Sequence, residues 1–279
     1  MPPFYYTSLA RLKLALRSDS LADARKFLRR FPLSRWAAKV LISDRSEVWV
    51  KVESGLAEGL HLRLNPTLEG NYWLGYHEPD LQENLRKFCR PGYVAYDVGA
   101  YLGFFSLAIA KSIGPAGKVF AFEPDHGNCV RIQEHATRNN LSSQIQVVEA
   151  AVWSYSCPSL PFRLGGIRKS YGGLAADGVV PVLAAGDTIP VPSISLDAFT
   201  EQGNPLPDIL KVDVEGGECE VLKGAEKVFS RSKPVLFCEV HHAESADWIA
   251  QWLAERGYAA RWNIPEDLFP RLVVGHPRS

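Results

Sequence analysis

The chain has 279 residues with 31 basic and 31 acidic side chains, 46% hydrophobic and 22% charged residues, and a formal net charge of zero. That length buries a substantial core, and the composition is that of a soluble globular protein. No apolar run approaches the roughly 18 residues of a membrane span, and no basic surface interleaved with aromatics speaks for nucleic acid.

The N-terminus, MPPFYYTSLARLKLALRSD, lacks the continuous apolar stretch of a secretory signal. Five cysteines, an odd number without a CxxC pair, point to reduced thiols rather than a disulfide or zinc framework, and so to a cytoplasmic protein. Residues 1–45 hold ten basic and three acidic side chains and read as helices forming a basic extension. Such an arm suits an anionic surface or an acidic partner, or simply covers the domain that follows.

Residues 46–279 form that domain. Its lead-in, 46–80, opens with EVWVKVESGLAEGLHLRLN, two alternating runs split by glycines, which predicts a hairpin. From residue 94 the pattern alternates: strand VAYDV and helix FFSLAIAKSI, strand KVFAFE and helix CVRIQEHATRNN, strand QIQVVEAAV. After SISL come strand DILKVDV, helix ECEVLKGAEKVF, strand PVLFCEV, helix ADWIAQWLAERG and a closing strand pair, YAARWNI and RLVVGH. Apolar strands alternating with amphipathic helices predict a doubly wound α/β, Rossmann-like sheet with helices on both faces. Residues 153–192, rich in Gly, Pro and Ser, interrupt the rhythm as a substrate-facing insertion that contains a hairpin.

In such a sheet ligands bind beyond the carboxyl ends of the strands. The first strand ends in Asp97, Gly99 and Ala100, with Gly103 opening the helix. The small residues would let a ligand approach the backbone and the helix N-terminus. Glu123 follows 24 positions after Gly99, where a carboxylate accepts from both ribose hydroxyls. A pyrophosphate would be repelled by Asp97, whereas the ammonium group of a methionine moiety suits it, so electrostatics favours S-adenosylmethionine over NAD. Asp213 and Glu215, two apart, would share one face of an extended strand, with one carboxylate capping the helix near Glu218. Glu239, His241 and His242 end the next strand, and a histidine there is a candidate general base. Two carboxylates and a histidine suit a divalent ion, but their spacing is not diagnostic and no metal ligand is assigned. Trp248 and Trp252, four apart, read as core.

These segments resemble the FkbM-type methyltransferases, S-adenosylmethionine-dependent enzymes with the class I Rossmann-like fold. The similarity rests on HEPD, YDVGAYLGFFSLAIA, FAFEPD, RNNL with VVEAAV, SLDAF, LKVDVEGGECEVLKGA and FCEVHH, in the family's order across roughly residues 46–245. It implies that Asp97, Gly99, Ala100 and Gly103 line the methionine and ribose part of the cofactor. It also implies that Glu123 holds the ribose beside Pro124 and Asp125, and that Glu149 and Ala150 lie near the adenine. Asp213 and Glu215 would face the transferred methyl and the acceptor, with Glu239 or His241 as alternatives for the proton. Tyr101 departs from the family, which usually has asparagine there.

The expectation is an O-methyltransferase acting on a small-molecule acceptor, a hydroxyl of a sugar or secondary metabolite, with homo-oligomerisation left open. Two alternatives stand beside it: an NAD-dependent oxidoreductase, and a silent cofactor-binding protein that works through its basic arm.

Overall fold

The structure is a computed structural model and describes residues 47–65, 69–163, 173–174 and 188–278. The helices expected within residues 1–45 lie outside the described residues. The chain divides into two units, residues 1–79 and 80–279. In the first, β1 (Val48–Lys51) pairs antiparallel with β2 (His61–Leu64), Val48 opposite Leu64. The short helix α1 (Gly70–Leu74) stops at Gly75, whose left-handed backbone (φ 79°) packs against Ser54 where no Cβ would fit. No helix among the described residues is long and apolar enough to cross a membrane.

The second unit is built on a seven-stranded sheet. After α2 (Pro79–Phe88), β3 (Val94–Val98) leads through α3 (Phe104–Ile113) to β4 (Lys118–Phe122), then through α4 (His126–Arg138) to β5 (Ile145–Val148). Each new strand adds in parallel toward one edge. The chain later returns to the other side of β3 with β10 (Ile209–Val212). It continues through α6 (Glu218–Lys223) and α7 (Glu226–Arg231) to β11 (Val235–Val240), again in parallel. After α8 (Ala243–Glu255), β12 (Tyr258–Trp262) and β13 (Arg271–Pro277) close the sheet, β13 lying antiparallel between β12 and β11. The order is thus β12-β13-β11-β10-β3-β4-β5, with the direction of winding reversed at β3. Right-handed crossovers on both sides of that reversal put helices on opposite faces. The expected doubly wound α/β sheet is the one observed.

Its parallel strands are buried because they carry little but apolar side chains. Tyr96, Phe120 and Phe122 pack edge-on against Phe199, with ring centroids 5.0–5.5 Å apart. Trp252 is buried against Phe229 and stacks on the partly buried Trp248, the core role expected of that pair.

The interrupting stretch supplies a second sheet. β6 (Ala151–Val152), β7 (Cys157–Arg163), β8 (Gly173–Leu174) and β9 (Thr188–Ile194) assemble in the order β6-β9-β7-β8. The antiparallel β7–β9 pair carries an irregularity between Cys157 and Leu160. Next, α5 (Leu196–Glu201) is capped by the Ser195 hydroxyl, which accepts from the Ala198 amide. The single helix expected over ECEVLKGAEKVF is two, broken at Gly224, where a Cβ would collide with the carbonyl oxygen of Trp153.

One glycine of the β3 turn is required by the protein's own packing. Gly99 has φ 76°, and a Cβ there would fall inside the radius of the Asp213 carbonyl oxygen at the end of β10. The space read from sequence as room for a ligand is, at this position, filled by the neighbouring strand's chain. Replacing Gly99 with alanine should cost roughly 2–5 kcal/mol, from left-handed strain plus overpacking against backbone, measurable as a lower urea midpoint.

Candidate active site

The winding reversal brings the ends of β3, β4, β10 and β11 together, and acidic side chains gather there. Asp97, in β3, is 0% exposed. Its Oδ2 accepts from the Ser106 hydroxyl at 2.5 Å, and its Oδ1 lies 3.1 Å from the Lys211 ammonium. That ion pair is off the hydrogen-bond direction, so Oδ1 has no hydrogen-bond partner among the described residues. Lys211, buried in β10, donates to the Gly99 carbonyl at 2.9 Å and stands 3.7 Å from Asp213 Oδ2. Sequence reasoning passed over Lys211 as part of an apolar strand; a lysine inside a run of Ile, Leu and Val has to be paired, and that was the signal available.

The turn after β3 uses its amides internally. Those of Gly99 and Ala100 donate to the Phe122 carbonyl, that of Gly103 to the Ala100 carbonyl, and that of Tyr101 to Glu123 Oε2 at 2.8 Å. Tyr101 has φ 50°, a left-handed conformation that asparagine tolerates better than tyrosine. Gly103, at φ 82°, has Ile132 and Leu107 crowding the place of a Cβ.

Glu123, just beyond β4, is buried, and its Oε1 accepts from the Asp125 amide at 3.0 Å and the Asn128 side chain at 3.3 Å. Burial pushes its carboxyl up to about 7, against the lowering effect of those donors and of the Tyr101 amide. Asp125 also caps α4, accepting from the Asn128 amide at 2.9 Å. Pro124 between them is half-buried. Glu149 is exposed and meets His126 at 3.0 Å, next to the buried Ala150.

The third group lies past β10. That strand ends at Val212, so Asp213 and Glu215 do not share a strand face as the sequence suggested. The chain turns instead, with Glu215 at φ 53° and Gly216 at φ 110°, because Gly216–Gly217 let it reverse into α6. Neither carboxylate caps α6: its N-cap is Gly217, without a side-chain cap. His241, just after β11, gathers the group. Its Nδ1 lies 2.6 Å from Glu218 Oε1 and its Nε2 lies 3.3 Å from Glu215 Oε2. Asp213, Glu239 and His241 each bring one ligand-type atom within 4.8 Å of the others. Burial pulls the His241 imidazole down, but the Glu218 hydrogen bond and charge, with Asp213 and Glu215, outweigh it and raise its pKa to about 9. Glu218 was read from sequence only as the start of a helix. His242 serves as the N-cap residue of α8 without a side-chain hydrogen bond there.

Comparison with known proteins identifies the family of the chain. The Methyltransferase FkbM domain matches residues 97–260. The chain belongs to the FkbM methyltransferase family. Among similar proteins, hexuronic acid methyltransferase AglP of Haloferax volcanii is 29% identical over 179 residues, 64% of this chain and 68% of that protein. The 31-O-demethyl-FK506 methyltransferase FkbM of Streptomyces tacrolimicus is 29% identical over 180 residues, 56% of this chain by coverage and 68% of its own. The crystal structure of an FkbM methyltransferase from Methylobacillus flagellatus aligns with a TM-score of 0.48 at 19% identity, covering 76% of this chain and 53% of that one.

The matched region, residues 97–260, includes both members of the Asp97–Lys211 pair. Lys211→Met should cost roughly 3–5 kcal/mol in urea unfolding, since it strands a buried carboxylate. Glu123 makes a second prediction. A carboxyl held above its ordinary 4.5 stabilises while protonated, so its contribution is whole below about 4.5 and lost as pH rises through about 7. In Glu123→Gln that part of the decline in stability between these values should vanish when unfolding midpoints are followed against pH.

Proposed function

We propose that this FkbM-family chain transfers a methyl group from S-adenosylmethionine to a hydroxyl of a sugar or related metabolite, acting in the cytoplasm. The observation that carries this reading is the acidic rim at the winding reversal, joined to a β3 turn whose amides are already engaged. A pyrophosphate would meet carboxylates and few open donors there, which weighs against a dinucleotide. A cationic ligand meets favourable charge.

The residues present fit the cofactor. Asp97 Oδ1 faces the Lys211 ammonium at 3.1 Å and has no hydrogen bond among the described residues, which leaves it acceptor capacity for a second ammonium donor. Glu123 has three donors on two oxygens, which leaves lone-pair capacity for a ribose hydroxyl. Pro124, Asp125, Glu149 and Ala150 would flank the adenosine end. S-adenosylmethionine, when bound, supplies an electrophilic methyl carried on a sulfonium. The chain's part is alignment of the acceptor and removal of its proton. On this reading a carboxylate of the chain would take the proton of the acceptor hydroxyl. Glu215 is that group: it borders the cluster and is half-exposed, whereas His241, with its pKa raised to about 9, is already protonated at neutral pH. Asp213 orients the acceptor. The names of the two relatives, a hexuronic acid methyltransferase and a 31-O-demethyl-FK506 methyltransferase, support an oxygen acceptor on a sugar or related metabolite.

Thermal unfolding with S-adenosylhomocysteine, with NAD as control, tests the cofactor. A ligand at 100 times its dissociation constant should add about 2.7 kcal/mol of stability. The shift is expected with S-adenosylhomocysteine alone and should shrink in Glu123→Ala. Glu215→Gln should keep the shift and lose about 100-fold or more in turnover on a hexuronic acid acceptor. A shift with NAD instead would overturn the methyltransferase reading, and full turnover in Glu215→Gln would remove it as the base.

A further inference from the structure

Asp213, Glu239 and His241 stand on neighbouring parallel strands, and the register sets them together. Val212 pairs with Cys238, so Asp213, one step past the end of β10, is level with Glu239 in β11. His241 follows one step past the end of β11, at the same edge of the sheet as Asp213. One oxygen from each carboxylate and one imidazole nitrogen lie within 4.8 Å of each other, close enough for a single ion to touch all three.

Glu218 points to the same use of these groups. It is 0% exposed, and its Oε1 accepts from the Gly216 amide at 2.9 Å while meeting His241 Nδ1 at 2.6 Å. Its Oε2 has no hydrogen-bond partner among the described residues. A buried carboxylate on one imidazole nitrogen fixes the ring and makes the other nitrogen a better ligand, the arrangement found behind metal-bound histidines. That other nitrogen, Nε2, is the one on the Glu215 side, and a bound ion would take the place of the proton it carries at neutral pH. Four carboxylates (Asp213, Glu215, Glu218 and Glu239) therefore crowd one imidazole, with Lys211 beside Asp213.

We propose that Asp213, Glu239 and His241 bind one divalent cation of the magnesium or manganese class, with Glu218 positioning His241 from behind. Two hard oxygens and one nitrogen, without a thiolate, favour that class over copper or zinc. Three protein ligands from one side leave coordination positions for water and for neighbouring oxygens of an acceptor. There the ion would orient the acceptor and make its hydroxyl more acidic. That role rests on the function proposed above; the binding site itself does not.

The test is a titration of the full chain, freed of metal by chelation, with Mn²⁺ alone, following free Mn²⁺ by electron paramagnetic resonance and displacing it with Mg²⁺. One Mn²⁺ per chain is expected. Affinity should fall more than about tenfold in Asp213→Asn and Glu239→Gln, and roughly 10- to 100-fold in Glu218→Gln. The S-adenosylhomocysteine shift, measured on wild type and Glu239→Gln, reports folding and the cofactor separately. Mn²⁺ binding without that shift would support the cation site while overturning the methyltransferase reading. An intact shift with no Mn²⁺ bound by wild type would overturn the cation site alone. So would Mn²⁺ binding that survives both Asp213→Asn and Glu239→Gln. Should one variant fail to fold, the remaining variants still decide whether these side chains hold the ion.

Discussion

The buried pairing of Lys211 with Asp97 is the contact on which the site's geometry depends. Taking a lysine and an aspartate out of water costs several kcal/mol for each ion, repaid only when the geometry satisfies both. Here Lys211 faces Asp97, donates to the Gly99 carbonyl and approaches Asp213, while Ser106 holds the other aspartate oxygen. Those contacts join β3 to β10 at the place where the sheet changes its direction of winding. The same place brings the Asp213 carbonyl against Gly99, so the two strand-end turns are fitted to each other rather than shaped independently.

Each of those turns is then held by a buried carboxylate that accepts from backbone amides. Glu123 takes the amides of Tyr101 and Asp125 and so pins the loop after β3; Glu218 takes the amide of Gly216 and pins the loop after β10. Both loops contain a residue other than glycine in the left-handed region, Tyr101 and Glu215, a conformation that persists only where the surroundings over-determine it. Preorganisation of this kind keeps donors and acceptors in place before any substrate arrives, which is where enzymes gain most from a rigid polar site. It also explains why acidic groups gather here without unfolding the domain: Glu123 and Glu218 each satisfy backbone amides that would otherwise lack an acceptor in the turn.

Much of this was readable along the chain. Apolar runs of strand length, helices with a single apolar stripe, and the glycine turn followed 24 positions later by Glu123 identified the doubly wound sheet and drew attention to the strand ends where the acidic groups gather. These signals are local, set by periods of two and 3.6 residues and by backbone conformations that few residues adopt. The reading failed where a residue's partner lay far off in sequence. Asp213 and Glu215 look like one strand face until the chain turns after Val212, and Gly224 looks tolerable within a helix until the carbonyl of Trp153 meets it; the Gly- and Pro-rich stretch does carry the antiparallel pairing expected of a hairpin, but its place in a four-stranded sheet comes from contacts with β6.

Lys211 marks the boundary between the two kinds of information. Local pattern alone assigns it to a buried strand, and simple desolvation says that it needs a partner. Which carboxylate it meets depends on the register that sets Lys211 level with Asp97, and on a hydrogen bond to Gly99 across 112 positions of chain. In the same way, His241 becomes a hub for Glu215 and Glu218 only because β10 and β11 lie side by side. Secondary structure and the general location of the site follow from neighbours in sequence, through periodicity and backbone sterics. The identity of each charge's partner follows from strand order and register, because electrostatic compensation in a buried site depends on distances of 3–4 Å that only the assembled sheet defines.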